Sequence, residues 1–187
     1  MTHPLVFGVL LMGIFSSLFG CRKSDTPPQR PKTKAVEVAD VYRDLRGQAL
    51  QLSPDQLGLT IAPNEPVAIL MEFSVSGNIV TLVCVTDGTT SLYFSNGGGI
   101  IGAGEHAAVR AISQKMISAA QEHLADMKQT NDFPLPLAGS VRFYCVTAEG
   151  VVTTEVAEEA LAGQHPLSAL FRQGHEVIAA IRQHAPN

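Results

Sequence analysis

Between Val67 and Phe94 the chain passes through three apolar stretches separated by Ser76-Gly77-Asn78 and Asp87-Gly88, and this run limits the possible folds more than any other feature. Residues 67–75 place Val67, Ile69, Met71, Phe73 and Val75 on one face and Ala68, Leu70, Glu72 and Ser74 on the other, the pattern of a half-buried strand. Residues 79–86 are apolar on both faces, which predicts a central strand. Asp-Gly supplies the positive φ that tight hairpins demand, so Asp87-Gly88 predicts a reversal into a third strand over 89–94. A three-stranded antiparallel meander needs helices packed on its apolar face.

The flanking segments provide them. Val38, Val41, Tyr42, Leu45, Ala49 and Leu52 recur at helical spacing, which predicts an amphipathic helix over 37–51 with Gly47 as its weak point. Ser53-Pro54-Asp55-Gln56 combines an N-cap, a proline at the first helical position and a capping-box glutamine, and a short helical turn should end at Gly58. Val109, Ile112, Met116, Ala120, Leu124 and Met127 mark a long helix over 105–127, stopped by the breaker segment 130–136. Residues 141–147 and 151–156, joined at Glu149-Gly150, form a second hairpin. A last helix over 166–184 carries Leu167, Leu170, Phe171, Gly174, Ile178 and Ile181 on one side, with Gly174 marking a close approach to the sheet. The expectation is an α+β domain over 36–187, a mainly antiparallel five-stranded sheet with about three helices in the order α-βββ-α-ββ-α. This element order is similar to that of profilin-like and roadblock-like domains, a likeness that implies a fold and no site. The Gly104-Glu105-His106 and His165-Pro166-Leu167-Ser168 segments also resemble small bacterial α+β domains.

The first twenty residues stand apart. An apolar run from Leu5 to Phe19 is interrupted only by Gly8, Gly13, Ser16 and Ser17. It is short for a membrane span of about 20 residues, and it suits the apolar core of a secretory signal. Leu18-Phe19-Gly20-Cys21 resembles the lipobox of bacterial lipoproteins; Phe19 is bulkier than that pattern usually has, and the residues before the run include no Lys or Arg. The resemblance implies lipidation at Cys21, a new N-terminus there, attachment to the cell membrane or outer membrane, and an exported domain. The alternative is an uncleaved inner-membrane anchor, for which Arg22-Lys23 would hold the domain in the cytoplasm. Residues 21–35 then form a tether, proline-bearing and poor in apolar side chains.

The segment Ser95-Asn-Gly-Gly-Gly-Ile-Ile-Gly-Ala-Gly-Glu-His106 contains a formal G-x-G-x-x-G over 97–102. Asn96, Gly97, Gly98, Gly99, Gly102, Gly104, Glu105 and His106 are the candidate ligand-loop residues. A dinucleotide loop requires a parallel βαβ unit and an acidic residue about 20 positions on, but here a hairpin precedes the glycines and a helix fills that interval. Glu105, placed in the first helical turn, would already occupy the positive end of the helix dipole. The favoured reading is structural: glycines permit a tight connection between strand and helix.

Other chemistry is sparse. Lys and Arg number 13 against 17 Asp and Glu, for a net charge of -4, and Arg22-Lys23 is the longest basic run, so no footprint for a nucleic-acid backbone is present. The chain has no tryptophan; Phe94, Phe143 and Tyr144 could stack on a ligand, but strand context favours core packing. His175-Glu176 begins like a zinc-protease motif, yet Ala179 stands where the second histidine belongs, and His175 is expected on the solvent side of its helix with Arg172 and Arg182. His165 reads as a helix-start residue, and Glu158-Glu159 as solvated surface. Cys84 and Cys145 lie within apolar strands and read as small buried hydrophobes, with a disulfide as the alternative in an oxidising compartment. No cofactor, metal site or catalytic residue is predicted. The expected function is a membrane-tethered binding or scaffolding module, with a protein partner or a second copy as occupant; the alternative is a small hydrolase or ligand-binding enzyme at the loop 97–106.

Overall fold

A computed structural model describes residues 38–184, all within one compact unit, Ala35–Asn187. The signal segment 1–20, the lipobox ending at Cys21 and the tether 21–35 lie outside the described residues. The domain is α+β with an antiparallel sheet, as its periodicities require. Its elements are α1 (Asp40–Leu50), α2 (Pro54–Leu57), β1 (Pro66–Val75), β2 (Asn78–Val85), β3 (Thr90–Phe94), β4 (Gly99–Ile100), α3 (Ala107–Glu122), β5 (Lys128–Thr130), β6 (Ser140–Thr147), β7 (Gly150–Ala157), α4 (Glu158–Leu161) and α5 (Ser168–His184).

The sheet has seven strands, not five, in the order β4-β3-β2-β1-β6-β7-β5. The two additional strands are edge strands: β4 pairs Ile100 with Leu92, and β5 pairs Lys128–Thr130 with Val151–Thr153. Both are too short to show a period of two, so pairing alone defines them. There are also five helices rather than three, because α2 and α4 are single turns. The capping box of α2 forms as its sequence indicates, with Ser53 Oγ accepting from Gln56 N and Gln56 Oε1 accepting from Ser53 N.

β1, not β2, is the middle strand of the sheet, paired with β2 on one side and with β6 on the other. Its expected solvent face is buried: from Pro66 through Phe73 every residue is buried. Ile69, Met71 and Phe73 join Leu82, Cys84, Phe143 and Cys145 beneath α3 and α5. Ala68 and Leu70 join Val83, Tyr93 and Tyr144 beneath α1. The sheet is therefore covered by helices on both faces, a three-layer arrangement that half-buried alternation did not anticipate.

Glycines make two of the close approaches. A Cβ on Gly174 would come within 2.5 Å of Met71 Cε and Sδ, which places α5 directly on the central strand. A Cβ on Gly104 would overlap the carbonyl oxygen of Gly88, so the 3-10 turn Ala103–Glu105 packs its backbone against the β2–β3 hairpin. A buried hydrogen bond of 2.6 Å between Ser113 and Thr90 then ties α3 to β3.

Candidate functional site

Antiparallel register aligns Phe73, Val80 and Phe94 in one row across β1, β2 and β3. The row lies at the end of the sheet closed by the β1–β2 turn, where Ser76 (φ 50°) and Gly77 (φ 82°) adopt the left-handed conformations of a tight hairpin. α5 crosses above the row. His175, Ile178, Ala179 and Arg182 follow i, i+3, i+4, i+7 spacing and so share one face of that helix. Between helix and row is a cavity of about 500 Å³. Its apolar wall is Phe73, Val75, Val80, Phe94 and Ile178; its polar groups include Asn78, Asn96, Glu158, His175 and Arg182.

His175 is exposed in area but is not a free solvent-side residue. Its ring meets Phe171 edge-on at 4.4 Å between centroids and tilts over Phe73 at 5.3 Å. Partial burial pushes its pKa below the ordinary histidine value; Glu158 opposes that shift and Arg182 adds to it. The imidazole is thus held toward its neutral form. Glu158 is exposed, as expected, and also lines the cavity, placed there because β7 ends at Ala157 and the Glu158 N–H donates to Gly139 O at 2.9 Å. Neither Glu158 nor Arg182 takes part in an ion pair among the described residues.

Of the candidate ligand-loop residues, Asn96 lines the cavity and the other seven are not part of its wall. The segment is a hairpin turn. Phe94 N donates to Gly98 O, Gly97 N to Phe94 O, and Gly98 N to Asn96 Oδ1, so its amides are spent on the turn rather than aimed at an anion. Gly97 (φ 94°) and Gly102 (φ 74°) need left-handed backbone, and a Cβ on Gly99 would sit 2.7 Å from Leu92 O. Glu105 lies in the 3-10 turn, outside α3, which begins at Ala107; the expected occupancy of that helix's first turn by Glu105 is corrected accordingly. His106 packs against His184 with the rings tilted and their centroids 5.0 Å apart. His165 sits before α5, where its Nδ1 accepts from Leu167 N at 3.2 Å.

The opposite face of the sheet holds a polar group that periodicity missed. Glu72, fully buried, accepts from Arg46 Nε at 2.6 Å and Nη2 at 2.8 Å, and from Thr81 Oγ1 at 3.1 Å. The Tyr42 hydroxyl bonds Thr81 at 2.8 Å, while Arg46 Nη1 reaches Phe133 O at 3.0 Å. Tyr144 OH donates to Pro134 O at 2.6 Å. Burial opposes the Arg46 charge, yet the hydrogen bonds and charge of Glu72 outweigh it and hold the guanidinium pKa above its ordinary value. Burial, reinforced by Glu72, raises Tyr42 and Tyr144. This network fastens α1 and the 133–134 segment to the sheet. On α1, Arg46 is buried together with Tyr42, Ala49 and Leu50, whereas Val41, expected on the apolar face, is 49% exposed. The one sequence signal was an acid in the middle of an otherwise apolar strand.

Cys84 and Cys145 are free and both lie opposite Ile69, one on each neighbouring strand. Two strand spacings, about 9.6 Å, separate their backbones, too far for a disulfide. Burial pushes both thiols up to about 12, so neither is a nucleophile at neutral pH.

Comparison with known protein families, with curated proteins and with solved structures finds no match. Among the described residues no helix is long and apolar enough to cross a membrane, and no group of three or more His, Cys, Asp or Glu could hold a metal ion.

Proposed function

We propose that this chain is a membrane-tethered binding protein, lipidated at Cys21, whose globular domain holds a small ligand in the cavity between α5 and the Phe73–Val80–Phe94 row. The observation that carries the reading is the composition of that cavity. An apolar wall is accompanied by a few polar groups, including His175 and the exposed charges of Glu158 and Arg182, which form no ion pair among the described residues, and the cavity is in the size range of small-molecule sites. The Leu18-Phe19-Gly20-Cys21 motif supports the lipid anchor and an exported domain.

Two measurements on the full detergent-extracted chain test it. Intact mass spectrometry should find a mature chain beginning at Cys21 with added acyl mass, lost in Cys21→Ala; a chain retaining Met1 or Thr2 would refute export by this route. Methyl NMR with a fragment library should shift Val75, Val80, Ile178 and Ala179 together. Shifts at other sites only would refute the cavity.

A further inference from the structure

We infer that the cavity beneath α5 takes a small zwitterion with an apolar body, the chemical class of an α-amino acid carrying an aliphatic or aromatic side chain. This inference rests on the cavity being the binding site. It is drawn from the charge and apolar character of the cavity lining. The lining offers one acid, Glu158, and one base, Arg182, neither ion-paired among the described residues, and the charges of both act on His175 in the same lining. A simple anion would satisfy Arg182 and face repulsion from Glu158; a simple cation would do the reverse. A ligand carrying an ammonium and a carboxylate answers both charges at once.

The rest of the lining suits the remainder of such a molecule. Phe73, Val80, Phe94 and Ile178 offer an apolar surface to a side chain, beside the His175 ring already packed against Phe73. Asn96 spends its Oδ1 on Gly98 N, which leaves its amide group as a donor for the carboxylate. The cavity volume of about 500 Å³ leaves room for a large aliphatic or aromatic group.

The probes are phenylalanine, its amine-only analogue phenethylamine and its acid-only analogue 3-phenylpropionate, titrated against the methyl-labelled full chain. Phenylalanine should bind more tightly than either half-ligand by about tenfold, the worth of one charge-assisted contact at a partly exposed site. Glu158→Gln should bring phenylalanine down to the affinity of 3-phenylpropionate, and Arg182→Met down to that of phenethylamine. Both residues are exposed and form no ion pair among the described residues, so both variants should keep the wild-type spectrum elsewhere. Half-ligands that match phenylalanine, or variants that leave its affinity unchanged, overturn the zwitterion. If library fragments shift the cavity methyls while no zwitterion does, this inference fails and the binding site stands. If no compound of any class shifts them, both fail.

Discussion

Replacing Arg46 by Met should destabilise the domain more than replacing Arg46 and Glu72 together. Glu72 is fully buried, and Arg46 supplies two of its three hydrogen bonds. In Arg46→Met the carboxylate keeps only Thr81, and an uncompensated buried charge costs about 3–5 kcal/mol. A domain of roughly 150 residues loses about 2–4 °C of Tm per kcal/mol, so thermal unfolding followed by circular dichroism should fall by about 6–20 °C. The double variant Arg46→Met/Glu72→Leu removes both charges at similar volume. Thr81 retains the Tyr42 hydroxyl and Pro134 O retains Tyr144, which leaves Phe133 O as the main orphaned group. Its cost is about 1–3 kcal/mol, so the double variant should recover about half of the loss. Single-variant losses that simply add in the double variant would refute the reasoning, because they would mean that the two side chains do not stabilise one another.

Other outcomes follow from single contacts. Gly104→Ala should cost about 1–3 kcal/mol, because two backbones must separate, whereas Gly47→Ala, inside α1 with nothing within 4 Å, should gain up to about 1 kcal/mol; the same melting assay reads both. Cys84 and Cys145 should resist alkylation at pH 8 in the folded protein and react on unfolding, with no disulfide-linked peptide in a non-reducing digest. The folded state binds a proton at His175 less readily than the unfolded chain, whose histidine titrates near 6.5. The stability contributed by neutral His175 is therefore complete above that pH and declines as pH falls from 6.5 toward the lowered folded value. His175→Gln should flatten that part of the stability profile in chemical denaturation at stepped pH; an unchanged slope would contradict the burial.

Local periodicity was enough to place the long elements. Alternation in 67–75 and the helical stripes of α1, α3 and α5 each record a face that must be buried, such faces repeating every 2 or 3.6 residues, and the Asp87-Gly88 and Glu149-Gly150 turns delimit the hairpins. Ser53-Pro54-Asp55-Gln56 and Gly174 were legible for the same reason, since a cap and a close approach each require a specific residue type. The glycines of 97–104 were legible as connection residues, and the amides of Gly97 and Gly98 prove to serve the turn.

Tertiary pairing decided the rest. β4 and β5 exist because an edge needed a partner, not because two or three residues prefer extension. Glu72 is buried because Arg46, 26 residues away, arrives on α1 to neutralise it, a partnership that no local pattern encodes. The cavity likewise joins the ends of β1, β2 and β3, the first residue of α4 and one face of α5, so His175 and Glu158 acquire meaning only when α5 crosses the sheet. Sequence by itself determined which segments had to hide apolar surface, because that property is local; which charges face one another was set by the packing of distant segments, because chain folding alone brings them within reach.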